Sequence, residues 1–268
     1  DAILNNLNTM KDTIENNLFA GCVTTFKKTS SDPVQTSLSQ TIIDEVDEGV
    51  AIMTFHGHSS AGTFDFSIED PSKYNNYGKF PLVVSMGCHS GDIHETVFSL
   101  SEDFVLEKDK GAIMFIAASG NAFINTLGRY GRGKYSRIGG LDYGKPIGTI
   151  VRNVLEEQYN SQNTRTITFQ QQNNVNGDPA IKLYQAEGPD YIVDFSSIRT
   201  SKDVGSGDSE ITLLFDVINL GSGHKDSLHN FIVHEYSDNL KDTIYFSIDA
   251  PFNKTEVSVT FDNPGPIA

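Results

Sequence analysis

Two six-residue runs restrict the fold of this chain more than anything else in it. Val50–Phe55 and Pro81–Met86 are apolar, rich in β-branched residues and of strand length. Near-continuous apolar strands belong to sheets buried on both faces, and those sheets are mainly parallel. Each run ends in reactive residues followed by small ones. The first delivers His56 and His58 around Gly57, and the second delivers Gly87-Cys88 and then Ser90-Gly91. In open α/β sheets the carboxyl ends of the strands are where ligands bind. A thiol on one strand end and an imidazole on the next is the layout that a cysteine nucleophile needs.

The rest of the first two-thirds of the chain alternates helix and strand. Ile3, Leu4, Leu7, Met10, Ile14 and Leu18 mark one face of a helix over 2–18. Gly21–Phe26 reads as a short strand with Cys22 in its core. Asp32-Pro33 opens a helix that runs to Asp47, with Leu38, Ile42 and Val46 inward. A polar loop over 62–80, a helix starting within 92–101 and a buried strand within Gly111–Ala118 follow. Asn121–Gly144, rich in Gly, Arg and Tyr, reads as a surface connection on which Arg129, Arg132 and Arg137 are solvated. Pro146–Tyr159 is a helix, 160–163 a polar link, and Asn176–Pro179 a tight turn. This predicts an α/β domain over 1–187, with a mainly parallel sheet and helices on both faces.

Gly188-Pro189 marks a change of period. Beyond it Ile211, Leu213, Phe215 and Val217 alternate, and Phe231–Val233, Thr243–Ile248 and Val257–Phe261 are further strands. An all-β sandwich of immunoglobulin type over 189–268 is expected, without the cysteine pair and tryptophan of antibody domains. No chemistry is expected from it.

The net charge of −15 repels phosphate backbones and argues against nucleic acid as a partner. No run of about 20 apolar residues could span a membrane. The acidity would accommodate a structural calcium, although no calcium-loop pattern is present. Two cysteines, Cys22 and Cys88, are too few for a disulfide scaffold and leave their redox state open. The first residue is Asp, which suggests a processed product or an excised fragment.

Cys88 is the candidate nucleophile. His58 is the preferred general base, because Gly57-His58 frames it, and His56 is the alternative. Asp65, Asp92 and Glu95 are candidates to orient the imidazole. His56, His58, Cys88, His89 and His94 could instead form a zinc set, since His-x-His and a thiolate are legitimate ligands. No C-x-x-C or H-E-x-x-H accompanies them, so no metal is assigned.

These residues resemble the gingipain-type cysteine peptidases of the caspase-like clan. Thr54–Ser60 is similar to the family's aromatic-x-Gly-His-Gly-Ser motif, which holds the catalytic His. Gly87–Ile93 is similar to its Cys-x-x-Gly-(Asp or Asn) motif, which opens with the nucleophile. Asn176–Leu183 is similar to the Gly-Asp-Pro-Ala-hydrophobic-x-Leu stretch that closes the catalytic domain. Order and spacing agree over 1–187. The resemblance implies a cysteine endopeptidase with Cys88 as nucleophile and His58 as base, and an oxyanion site formed by the backbone N–H groups of Ser59 and Cys88. It implies a protein or peptide substrate, no cofactor, and export to the outside or surface of a bacterium. It also implies an upstream segment of the same precursor, because family domains extend further at the N-terminus. Ser59 stands where the family has glycine. The other expectation is a catalytically silent surface or adhesion module that keeps the fold.

Overall fold

The computed structural model describes residues 2–94, 98–160, 162–205, 207–235 and 241–263. The chain forms two compact units, Asp1–Thr13 with Val23–Gln185, and Ile14–Cys22 with Ala186–Ala268. The helices are α1 (Ala2–Glu15), which belongs to the first unit up to Thr13, and, within the first unit, α2 (Ser39–Gly49), α3 (Leu100–Leu106), α4 (Ile124–Ser136), α5 (Ile147–Glu157) and α6 (Thr164–Gln172). Its strands are β1 (Ile52–His56), β2 (Leu82–Met86), β3 (Met114–Ala118) and β4 (Asn173–Gly177), in the order β1-β2-β3-β4.

The two apolar runs are neighbouring parallel strands, paired from Ile52↔Leu82 to His56↔Met86. β3 pairs parallel to β2, and β4 closes the sheet antiparallel to β3. All five residues of β2 and all five of β3 are buried. A strand with no exposed side chain needs cover on both faces, which is why these runs lack polar alternation. One face holds Met53, Phe55, Val83, Phe115 and Ala117 against Ile42 and Val46 of α2 and Leu100 and Phe104 of α3. The other face holds Val84, Met86, Met114 and Ile116. There Gly131 of α4 lies so close to Met86 that a Cβ would press on its thioether.

Several local expectations fail for identifiable reasons. Gly21–Phe26 joins no ladder among the described residues, and Cys22 is exposed rather than in a core. Only Phe26 of that run packs on the core cluster. The second helix starts at Ser39, not Pro33, and Leu38 is 40% exposed with φ +76°. Residues 29–37 serve the loop instead. Gln35 pairs its backbone with Asp65 and Ser67, and its buried side chain accepts the N–H groups of Thr29 and Ser30. The helix expected within 92–101 begins at Leu100, where Ser99 and Glu102 form a capping box.

The largest correction is 121–144, which is not a surface connection. It is α4 continued by a π-helical turn, Arg137–Leu141, with Tyr130, Tyr135 and Ile138 buried. Its arginines are engaged. Arg129 donates to Thr166, Arg132 to Asn6, and Arg137 to both Asp142 and Glu157.

The second unit contains β5 (Tyr191–Thr200), β6 (Glu210–Asn219), β7 (Ser227–Glu235), β8 (Lys241–Asp249) and β9 (Lys254–Asp262). β5-β6-β9 form one antiparallel sheet and β7-β8 another. Phe215, Val217, Val257 and Val259 of the first sheet pack with Leu228, Ile232, Ile244 and Phe246 of the second.

Candidate active site

The parallel register decides where the reactive residues fall. His56 and Met86 are partners at the ends of β1 and β2. His58 and Cys88 each lie two residues further on, so both follow the carboxyl ends of adjacent strands. A one-step shift of register would separate them along the sheet edge.

The loop that carries Cys88 is pinned on several sides. His89 N–H donates to the Gly120 carbonyl (3.1 Å), and Gly91 N–H donates to that of Ala118 (3.0 Å). Ser101 N–H donates to the Ser90 carbonyl, and the Asn174 amide to that of Gly91 (2.9 Å). Buried Ser85 and Ser90 hydroxyls meet at 2.6 Å. Gly91 approaches β3 so closely that a Cβ would fall 2.9 Å from Ala117 Cβ. His89 adopts φ +58°, a turn geometry that its side chain supports by contacts to Asp92 (3.2 Å) and Asn121 (3.3 Å).

The thiol is half-buried and meets the segment after β3. Ala122 N–H donates to Cys88 Sγ at 3.4 Å, and the S–H reaches the Ala122 carbonyl at 3.6 Å. An N–H aimed at sulfur is a ready donor to a thiolate. Nothing in the sequence singled out Ala122, because a backbone donor leaves no residue signature.

His58 is exposed, and among the described residues its ring makes no hydrogen bond, to Cys88 or to any other group. Asp65 lies beneath it but touches the backbone. Its carboxylate accepts His58 N–H at 3.5 Å and pairs with Lys28 at 3.8 Å. A Cβ on Gly57 would strike Asp65 Oδ1 at 2.8 Å, so glycine is what lets that carboxylate sit there. Asp92 faces His89, and Glu95 lies outside the described residues. Ser59 Oγ donates to the Cys88 carbonyl at 2.6 Å, which ties the two strand-end loops together. A Cβ on Gly87 would collide with that same hydroxyl. Among the described residues, neither Ser59 N–H nor Cys88 N–H meets a backbone acceptor. Ser59→Ala is expected to cost about 1 kcal/mol through loss of the inter-loop bond. A urea midpoint unchanged from wild type would show that the bond is not made in solution.

His56 differs sharply from His58. Both of its ring nitrogens are buried without a hydrogen-bond partner. Burial pushes its pKa down from 6.5 to about 4. As the pH falls, the unfolded chain therefore takes up the proton first. The stability from a neutral His56 is complete above pH 6.5 and is lost as the pH falls towards about 4. Allowing for partial screening, the loss is on the order of 2 kcal/mol. Comparing urea midpoints at pH 7.5 and 4.5 should give a smaller difference in His56→Gln than in wild type, and an equal difference would contradict the assignment.

Among the described residues no group of three or more His, Cys, Asp and Glu is placed to hold a metal ion, so His56, His58, Cys88, His89 and His94 are not gathered into one ligand set. Among the described residues no helix is long and apolar enough to cross a membrane. Two further residues carried no sequence signal. Lys134 is buried in α4, held by Asn173 Oδ1 at 3.2 Å, and burial pushes its pKa down to about 8. Arg165 stacks on Phe123, 4.6 Å from the ring centre.

Residues 5–184, more than half of the chain, match peptidase family C25. The fold is similar to the complex of the pro- and mature domains of RgpB from Porphyromonas gingivalis, with 15% identity and a TM-score of 0.51. It is similar to the same degree to the Arg-specific cysteine proteinase gingipain R (RgpB), again with 15% identity and a TM-score of 0.51. The likeness covers 86% of this chain in both cases, and the chain spans 57% and 56% of those structures. No curated protein matches the chain. With its motifs in the expected order on a matching α/β core, the chain belongs to peptidase family C25.

Proposed function

We propose that this protein is a cysteine endopeptidase of gingipain type, with Cys88 as nucleophile and His58 as general base. The supporting observation is the equal two-residue offset of His58 and Cys88 beyond the His56↔Met86 pair of parallel neighbours. Cys88 gives its proton to His58 and attacks the peptide carbonyl carbon. The carbonyl oxygen becomes an oxyanion, held by the Ser59 and Cys88 N–H groups, each worth about 3 kcal/mol. The intermediate collapses to a thioester, and the leaving amine takes the proton from His58. Water, deprotonated by His58, then attacks the thioester and releases the acid and the thiol. His56 is a poor base because burial keeps it neutral. A His58 ring without a hydrogen bond is compatible with this role, because such contacts often tighten only with substrate. The reaction needs only water, and no cofactor is proposed.

In this reading 1–187 is a gingipain-like catalytic domain that continues upstream in the same precursor, and 189–268 is an immunoglobulin-like sandwich that supports it. The protein acts on protein or peptide substrates outside a bacterium or on its surface. The competing reading is a silent surface or adhesion module, which the bonding of the thiol to Ala122 rather than to an imidazole favours. An acid-quenched reaction with a peptide ester separates the two. The peptidase reading expects an acyl mass on Cys88, and intact ester with unmodified Cys88 supports the silent module.

A further inference from the structure

The residue that hydrogen-bonds the thiol also lines a pocket, and that pocket carries one charge. The cavity, about 100 Å³, is lined by Asn121, Ala122 and Phe123 after β3 and by Arg165, Thr168 and Gln172 of α6, among others. Ala122 is both a wall of the pocket and the hydrogen-bonding partner of Cys88 Sγ. Among the described residues no carboxylate lines it. Resting on the peptidase reading, we propose that this pocket binds the side chain on the acyl side of the scissile bond, that this side chain is aspartate or glutamate, and that Arg165 is its charge partner.

Three observations converge on an acidic occupant. First, the chain has 35 acidic residues against 20 basic ones, yet Arg165 has no carboxylate partner among the described residues. Its guanidinium instead lies over the Phe123 ring. Stacking fixes the plane of the cation and leaves its N–H fork free for two parallel bonds to a carboxylate. Second, the remaining polar side chains of the wall are neutral and able to donate, namely the Asn121 and Gln172 amides and the Thr126, Thr164 and Thr168 hydroxyls. Third, the cavity of about 100 Å³ is smaller than the roughly 150 Å³ of a cavity that holds benzene, which suits a side chain of four or five heavy atoms. A lysine there would face Arg165 with no compensating acid, an arrangement that repels the wrong partner as well as attracting the right one.

The pocket could not be read from the sequence. Arg165 lies in a segment, T-R-T-I-T-F-Q-Q-Q, whose β-branched composition hides a helix, and only α6 brings it to the end of β3.

Peptidyl chloromethyl ketones that differ only at the first residue test the assignment on the full chain. The thiolate displaces chloride, an S–C bond replaces the C–Cl bond, and peptide mapping reads the adduct on Cys88. Aspartyl and glutamyl ketones are expected to label Cys88 at least about tenfold faster than the lysyl ketone. Arg165→Glu should slow the acidic probes by about tenfold or more and speed the lysyl probe, reversing the order. Arg165→Gln should abolish the preference without reversing it. Arg165 is exposed, so neither change opens the core. Equal labelling by acidic and lysyl probes, or an order unchanged in Arg165→Glu, overturns the proposal while iodoacetamide still modifies Cys88 and leaves the peptidase reading standing. Resistance of Cys88 to iodoacetamide and to every ketone sinks the peptidase reading, and the pocket assignment falls with it.

Discussion

Cys88→Ala is expected to lower kcat/KM for a cleaved peptide by about 10⁴ to 10⁶, the range seen when a covalent nucleophile is removed. In the proposed mechanism the thiol forms the covalent bond to the acyl group, which alanine cannot form. His58→Asn should fall in the same direction by about 10³ or more, because the thiol then lacks a proton acceptor and the amine a proton donor. His58 is exposed, so its loss should leave stability unchanged. His56→Gln serves as the contrast, altering the acid sensitivity of folding while keeping most of the activity. Initial rates with a fluorogenic peptide and near-ultraviolet circular dichroism on the same samples separate chemistry from folding. More than 1% residual activity in Cys88→Ala, or a larger loss in His56→Gln than in His58→Asn, would contradict the roles assigned.

Phe115→Ala carries the largest expected effect on stability. Phe115 lies in β3, between β2 and β4, with no exposed surface, and stacks obliquely on Phe104 at 5.6 Å. Removing its ring loses the burial energy and leaves a hole that α3 and the sheet cannot close. The cost is about 3–5 kcal/mol. Against a total stability of about 5–15 kcal/mol, the melting temperature should fall by roughly 10 °C. Phe195, 84% exposed on β5, is the control, and Phe195→Ala should stay within about 0.5 kcal/mol. A loss below 1 kcal/mol for Phe115→Ala would mean that this core is not packed as described.

The two central strands were legible because burial on both faces leaves nothing else that their composition could satisfy. The helix α5 was legible from Ile147, Ile150, Val151 and Val154, all buried on one side. By contrast, α4 was hidden by its glycines, which ordinarily punctuate loops. In this fold Gly128 and Gly131 are points of close approach, against Asn6 and Met86, and a side chain there would collide. The strand β4, N-N-V-N-G, has no strand composition at all. It exists because the edge of β3 pairs with it from Met114↔Gly177 to Ala118↔Asn173. The candidate site divides in the same way. Cys88, His56 and His58 were visible as side chains with known chemistry. The Ala122 N–H, the Ser59 bridge and Arg165 become visible only when distant segments meet.

The relative rates of alkylation of Cys88 and Cys22 test the central claim most directly. Cys22 is exposed and remote in sequence, and it reports the behaviour of an ordinary thiol in the same molecule. Iodoacetamide labelling followed by peptide mapping, from pH 5.5 to 7.5, should modify Cys88 well ahead of Cys22 at every pH, and His58→Asn should remove that lead. If Cys88 reacts no faster than Cys22, or keeps its lead without His58, then Cys88 is not a nucleophile activated by His58.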